Sequence, residues 1–242
     1  MTWNPTPANP SQGQATYGSN EATAAPNAAV QALLLTQAFG WMFAGLLLTA
    51  GVAFFVQGNQ SLLTFTAQNF MLMFFGQLAL AWGIGLGIGR ISASVALGLF
   101  FVYAASLGLT IGLIVTLYTT GSVVTAFFSA GAMFGGAAIY GATTKRSLAN
   151  LRGFLTMAII GLIVAVVVNL FFNSGPISFI ISIVGVVLFT VLTAYHVQTI
   201  QRGGYVAAYG SVEKAAVIGA LSLYISFINI FLFLLRLLGG RD

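Results

Sequence analysis

Residues 213–238 read EKAAVIGALSLYISFINIFLFLLRLL, an apolar run longer than the roughly 17 residues with which a helix crosses a bilayer. A barrel strand would alternate over about ten residues, so the continuous run reads as a helix. Within it Ser222, Ser226, Asn229 and Arg236 recur at steps of 4, 3 and 7, which sets them on one side of a helix with about 3.6 residues per turn. Polar groups are costly in lipid, so that side has to be sheltered by other helices.

The rest of the chain supplies them. Six further apolar runs, 32–56, 70–88, 92–117, 123–140, 151–172 and 177–200, alternate with short breaks. These breaks carry turn chemistry: Gly58-Asn59, Gly89-Arg90, Thr119-Thr120-Gly121, Lys145-Arg146-Ser147, Ser174-Gly175-Pro176 and Arg202-Gly203-Gly204. Composition agrees: of 242 residues 59% are hydrophobic and 5% charged, against about 25% charged in a soluble domain. So few charges cannot clothe a water-soluble globule. The expected fold is an all-α integral membrane bundle of seven transmembrane helices, residues 31–242, with the lipid bilayer as its first partner. Residues 1–30 hold Pro5, Pro7, Pro10 and Pro26 among small polar residues and read as a flexible cytoplasmic tail. The tail lacks the basic start of a secretory signal.

The net charge of +5 does not point to nucleic acid, because the 8 Lys and Arg are scattered rather than clustered. With no cysteine and one histidine, thiolate sites and most metal sites lack their ligands, and no metal or cofactor is expected. Arg90, Lys145, Arg146, Arg152, Arg202 and Lys214 flank the second, fourth and sixth breaks, whereas the other breaks have no cation. Cytoplasmic loops are enriched in Lys and Arg, so the chain is expected N-in and C-out. Gly83 with Gly87, and Gly131 with Gly135, have the small-xxx-small spacing that lets helices approach closely. The run from Gly83 to Gly89 is no nucleotide loop, since it lies inside a hydrophobic span with no strand before it.

In the sixth span Thr190, Thr193 and His196 share a face, with Tyr195 and Gln198 adjacent. With Ser222, Ser226 and Asn229 they form a candidate polar track. His196 carries the side chain whose ordinary pKa, about 6.5, lies nearest cytoplasmic pH, so it is a candidate sensor; the simpler reading is an interfacial histidine bonded to a Thr or Tyr. The serines and Asn229 equally suit interhelical hydrogen bonds. No span has Asp or Glu in its interior, which weighs against ion transport.

Four segments carry a recognisable pattern: Gly40-Trp41-Met42 with Gly45-Leu46-Leu47; Tyr140-Gly141-Ala142-Thr143-Thr144-Lys145-Arg146; Thr193-Ala194-Tyr195 with Gln198; and Ala220-Leu221-Ser222-Leu223-Tyr224 with Phe227-Ile228-Asn229. Together they resemble the bacterial Bax inhibitor-1 family. The resemblance implies a multi-pass protein of the bacterial cytoplasmic membrane, with six helices around a central seventh, and a pH-sensitive calcium leak gated by paired aspartates with an arginine partner. Arg90 matches that arginine. The aspartate positions hold His196 and Ser226, and the acidic position after the Thr144-Lys145 pair holds Ser147. Calcium chemistry therefore does not carry over residue by residue.

Two functions are expected in consequence. One is a non-catalytic accessory or modulatory subunit, packed against a membrane protease or a larger membrane assembly. The other is a cation leak whose gate is rebuilt around His196, opposite Arg90. No nucleophile, base and orienting group converge, so an enzyme is not expected.

Overall fold

A computed structural model of the chain describes residues 28–172 and 174–240. The expected tail therefore lies outside the described residues up to position 27. The chain is helical already from Ala28, ahead of the expected boundary, because Ala28, Ala29, Val30 and Gln31 include the best helix former twice and no breaker.

The seven long helices are α1 (Ala28–Gln57), α3 (Phe70–Gly87), α4 (Ala93–Val115), α5 (Thr120–Thr143), α6 (Arg152–Phe172), α7 (Gly175–Gln201) and α9 (Val212–Leu238). Each is long and apolar enough to cross a membrane. Two short helices were not foreseen, α2 (Gln60–Gln68) and α8 (Gly204–Tyr209). Neither is long enough to span, so neither leaves a hydropathy signal. The breaks act as caps: Asn59 Oδ1, Ser92 Oγ, Thr119 Oγ1 and Ser211 Oγ accept the amide of the residue three positions on, at 3.1, 3.3, 3.2 and 3.3 Å. Gly203 and Gly210, with φ of 69° and 67°, bracket α8 in the left-handed conformation that lets the chain turn sharply at both its ends.

Helix α9 is the centre of the bundle. In its most apolar window 78% of residues are buried, against 50% in α7, 17% in α6 and 11% in α3. It packs chiefly on α7, α1 and α5, while α3 leans on α4 and α6 on α7. Four of the six other spans, α1, α4, α5 and α7, thus pack on α9, and α3 and α6 lie outside α4 and α7 rather than in the ring that the family resemblance implies. Tyr224, Leu223, Ile230 and Leu235 of α9 are wholly enclosed, and rings from α5 and α9 interlock at Phe134–Phe227 and Phe127–Phe227, both with centroids 5.6 Å apart.

Gly83, Gly87, Gly131 and Gly135 do not mediate this packing, contrary to their spacing: a Cβ built on any of them meets nothing within 4 Å. In lipid every face of a span is apolar, so spacing alone does not say which face turns inward. Other glycines make the close approaches. Gly45 of α1 lies against Phe100 and Tyr224, Gly108 and Gly112 of α4 against Val52 and the Ala53 backbone, Gly141 of α5 against the Ala194 backbone, and Gly185 of α7 against Phe233.

Buried hydrogen bonds tie the helices where apolar packing in lipid gives little direction. Thr49 Oγ1 lies 2.6 Å from the Tyr224 hydroxyl and 2.9 Å from the Ala104 carbonyl oxygen, joining α1, α9 and α4. Gln77 Nε2 donates to Thr110 Oγ1 at 2.8 Å and to the Ser106 carbonyl at 2.9 Å, joining α3 to α4. At one end of the bundle Lys214 Nζ donates to the Gly89 carbonyl at 3.3 Å. At the other, the Gly240 amide donates to Ser122 Oγ at 2.9 Å.

Candidate functional site

Helix α8, invisible to hydropathy, decides the surroundings of His196. Its Tyr205 hydroxyl lies 2.6 Å from His196 Nδ1, the two sharing one hydrogen, and 3.4 Å from Ser222 Oγ. One chain of polar atoms therefore links α7, α8 and α9. Tyr195 stands edge-on to the imidazole at 5.4 Å, and Tyr205 stacks on Tyr209 at 6.2 Å. Enclosure among these rings pushes the Tyr205 phenol above its ordinary pKa, the Ser222 hydrogen bond opposing the shift only in part.

Arg90 is not the partner of His196. It is exposed on the turn after α3, and the imidazole turns to Tyr205 instead. The physical reason is the sharp turn at Gly203, which folds α8 back beside the end of α7 and brings a phenol to the ring.

The other members of the expected track turn back on their own helices. Thr190 Oγ1 donates to the Val186 carbonyl at 2.7 Å, Thr193 Oγ1 to Phe189 at 2.8 Å, Ser226 Oγ to Ser222 at 2.9 Å and Asn229 Nδ2 to Ile225 at 2.8 Å. A hydroxyl bonded to the carbonyl four residues back is satisfied without a neighbouring helix or water. Thr193 and Ser226 are buried, Thr190, Ser222 and Asn229 half-buried, and Arg236 exposed near the end of α9. The stripe on α9 is therefore buried only at Ser226 and is otherwise the least covered side of the helix, contrary to the expectation that it is the sheltered one; Ile225 and Leu232 are half-buried on that same side.

The segment from Tyr140 to Ser147 ends α5 and crosses to α6. Tyr140 is exposed, Gly141 buried and Thr144 half-buried, with Thr144 Oγ1 accepting the Arg146 amide at 3.3 Å. Lys145, Arg146 and Ser147 are exposed. Gln198, which is 3% exposed, clasps this segment from α7: its Oε1 accepts the Leu148 amide at 2.7 Å and its Nε2 donates to the Arg146 carbonyl at 2.9 Å. Gln198→Leu leaves both backbone groups without partners, at about 1–3 kcal/mol each when buried. We expect it to lower the thermal midpoint in detergent and to speed proteolytic nicking at Arg146. An unchanged cleavage rate would show that the clasp does not hold the loop.

Four polar residues escaped sequence reading in these roles: Tyr205, Gln198 as a loop clasp, Thr49 and Gln77. Gln77 and Gln198 had a usable signal, each being an amide inside an apolar run. Chemically the site offers hydroxyls, amides and one imidazole. Among the described residues no group of three His, Cys, Asp or Glu comes together.

The sequence model of a family described as inhibitor of apoptosis-promoting Bax1 matches residues 31–242. The chain belongs to the Bax inhibitor-1 family. An uncharacterized protein of Borreliella burgdorferi is 40% identical to it over 212 residues, covering 86% of this chain and 91% of the relative. The inner membrane protein YbhL of Escherichia coli is 37% identical over 222 residues, with 89% and 94% covered. A protein of Deinococcus radiodurans is 40% identical over 209 residues, with 86% and 90% covered. Seven apolar helices and kinship with an inner membrane protein place this Bax inhibitor-1 family member in the bacterial inner membrane as a multi-pass protein.

Proposed function

We propose that this chain is a non-catalytic modulator that packs against other membrane proteins, a membrane protease or larger assembly among them, and that it is closed to ions in the arrangement described. The supporting observation is the placement of glycine. A Cβ built on Gly83, Gly85 or Gly87 of α3, or on Gly131 or Gly135 of α5, meets nothing within 4 Å, although glycine costs a helix about 0.8–1 kcal/mol against alanine. Close approach of a foreign helix is what such surfaces suit. The closed state is supported by the polar track, whose Thr190, Thr193, Ser226 and Asn229 donors are taken up by their own helices. A calcium ion takes six to eight oxygen ligands, roughly, and is served best by carboxylates; the positions in question hold His196 and Ser226. The end carrying Arg90, Lys145, Arg146, Arg152, Arg202 and Lys214 faces the cytoplasm in this reading.

A second reading, a pH-sensitive cation leak gated at His196, draws on the His196–Tyr205 bond, because protonation of the ring would alter a contact that joins α7 to α8.

One experiment separates the two. Liposomes carrying the purified chain and dyes for calcium and for monovalent ions are compared at pH 6 and pH 8. The expected result is flux no greater than in empty liposomes, together with cross-links to a second polypeptide from photoreactive groups placed at Gly83 or Gly131 in native membranes. Flux that rises at pH 6 and disappears in His196→Ala would overturn the closed state and establish the leak.

A further inference from the structure

At the cationic end of the bundle a cleft of about 340 Å³ opens between the start of α1 and the ends of α5 and α7. Gln31, Gly141, Thr144, Gln198, Gln201 and Arg202 line it. Its inner wall is firm, since Gln198 is fixed by the Leu148 and Arg146 bonds and Gly141 rests on the Ala194 backbone. Deeper in, the gap between α1 and α5 is closed by Phe39 and Phe134, whose rings meet edge to face at 6.2 Å. These rings lie eight positions along α1 from Gln31 and eight along α5 from Ala142, and Leu34 and Ala38 are buried between, so the cleft stays at the end of the bundle. An opening at the ends of the spans lies at the level of the headgroup layer of one leaflet.

The rim is positive. Arg202 lines the cleft, and Lys145 and Arg146 follow its wall residue Thr144, held near by the bond from Gln198 to the Arg146 carbonyl. All three are exposed. The one carboxylate among the described residues, Glu213, is at the start of α9, where it accepts from Ser211 at 2.5 Å. Among the described residues no ion pair joins a negative side chain to these three cations.

We propose that this cleft binds the headgroup of an anionic phospholipid from the surrounding leaflet. Arg202, Lys145 and Arg146 hold the phosphate, the amide of Gln201 meets the headgroup hydroxyls, and the acyl chains stay in the surrounding leaflet. The site goes beyond the modulatory reading and stands without it. Arginine suits the role because its planar fork matches phosphate oxygens in pairs.

The test uses the full chain in a mild detergent, with native mass spectrometry reading the retention of phosphatidylglycerol, phosphatidylcholine as the zwitterionic probe, and inorganic phosphate as competitor. The expected result is one retained phosphatidylglycerol, weakened about fivefold by Arg202→Gln and about a hundredfold when Lys145→Gln and Arg146→Gln are added. Arg152→Gln removes a cation from the same end without touching the cleft and is expected to leave retention unchanged. These side chains are exposed, and an unaltered lipid-free melting temperature confirms that the variants fold. Equal retention by the triple variant, equal retention of phosphatidylcholine, or the same loss in Arg152→Gln would overturn the proposal. Full displacement by millimolar inorganic phosphate would also overturn it, and would assign the cleft to the free ion.

Discussion

Gly141→Ala lowers the stability of the bundle by about 1–3 kcal/mol, the range expected when a methyl group is forced into a packed interface. The added Cβ would collide with the Ala194 carbonyl oxygen and come within 2.8 Å of the Ala194 Cα. Both are backbone atoms of α7, so no side chain can rotate out of the way. Relief requires α5 and α7 to separate, which also loosens the Gln198 clasp beside them. Gly83→Ala is the matched control: its Cβ meets nothing, and helix propensity alone favours alanine by about 0.8–1 kcal/mol. Thermal unfolding in detergent should therefore move in opposite directions for the two changes. A Gly141→Ala protein as stable as the parent would refute the close contact between α5 and α7.

Tyr224→Ala is expected to have the larger effect, about 3–5 kcal/mol. The residue is completely buried on α9, with Phe100 edge-on at 5.4 Å, Tyr103 at 5.9 Å and Thr49 hydrogen-bonded at 2.6 Å. In a bilayer the transfer from water is not what is lost, because lipid is as apolar as the core. The cost is a cavity that the surrounding rings cannot fill, with the dispersion contacts of a whole phenol removed. Tyr224→Phe keeps the ring and gives up one hydrogen bond. Thr49 Oγ1 remains in reach of the Gly45 and Ala104 carbonyls, so this change should cost about 0.6 kcal/mol, the average for such bonds in membranes. Unfolding in sodium dodecyl sulfate titrated into mixed micelles measures both. Equal losses in the two variants would mean that the hydroxyl, rather than the ring, anchors α9.

The spans were legible because hydropathy over a long window is a strong and local signal. All seven runs became helices, with ends shifted by a few residues where Thr, Ser or Asn caps set them. The polar stripe of α9 was legible, but not its direction: Ser222, Asn229 and Arg236 lie on the least covered side of the helix, only Ser226 of the stripe is buried, and the apolar sides with Leu223, Tyr224, Ile230 and Leu235 are the enclosed ones. What escaped was short or relational. Helix α8 has six residues and two flanking glycines that read as a loop, yet it carries the tyrosine bonded to His196. The glycine pairs failed as internal contacts although their spacing was right, because a spacing describes one helix and a contact needs two.

By itself the sequence determined that this chain is a seven-helix membrane protein, where its cations gather, and that the acidic positions implied by its family are missing. Those properties follow from the energy of placing each residue in lipid or water, which needs no knowledge of neighbours. Only the tertiary structure decided that α1, α4, α5 and α7 are the spans that enclose α9, that Gly141 rather than Gly83 or Gly131 brings helices together, that His196 meets Tyr205 instead of Arg90, and that Arg202 lines a cleft beside the segment carrying Lys145 and Arg146. Within a bilayer all outer faces are equally apolar, so the choice of face falls to shape and to a few buried hydrogen bonds, and these exist only once the helices have met.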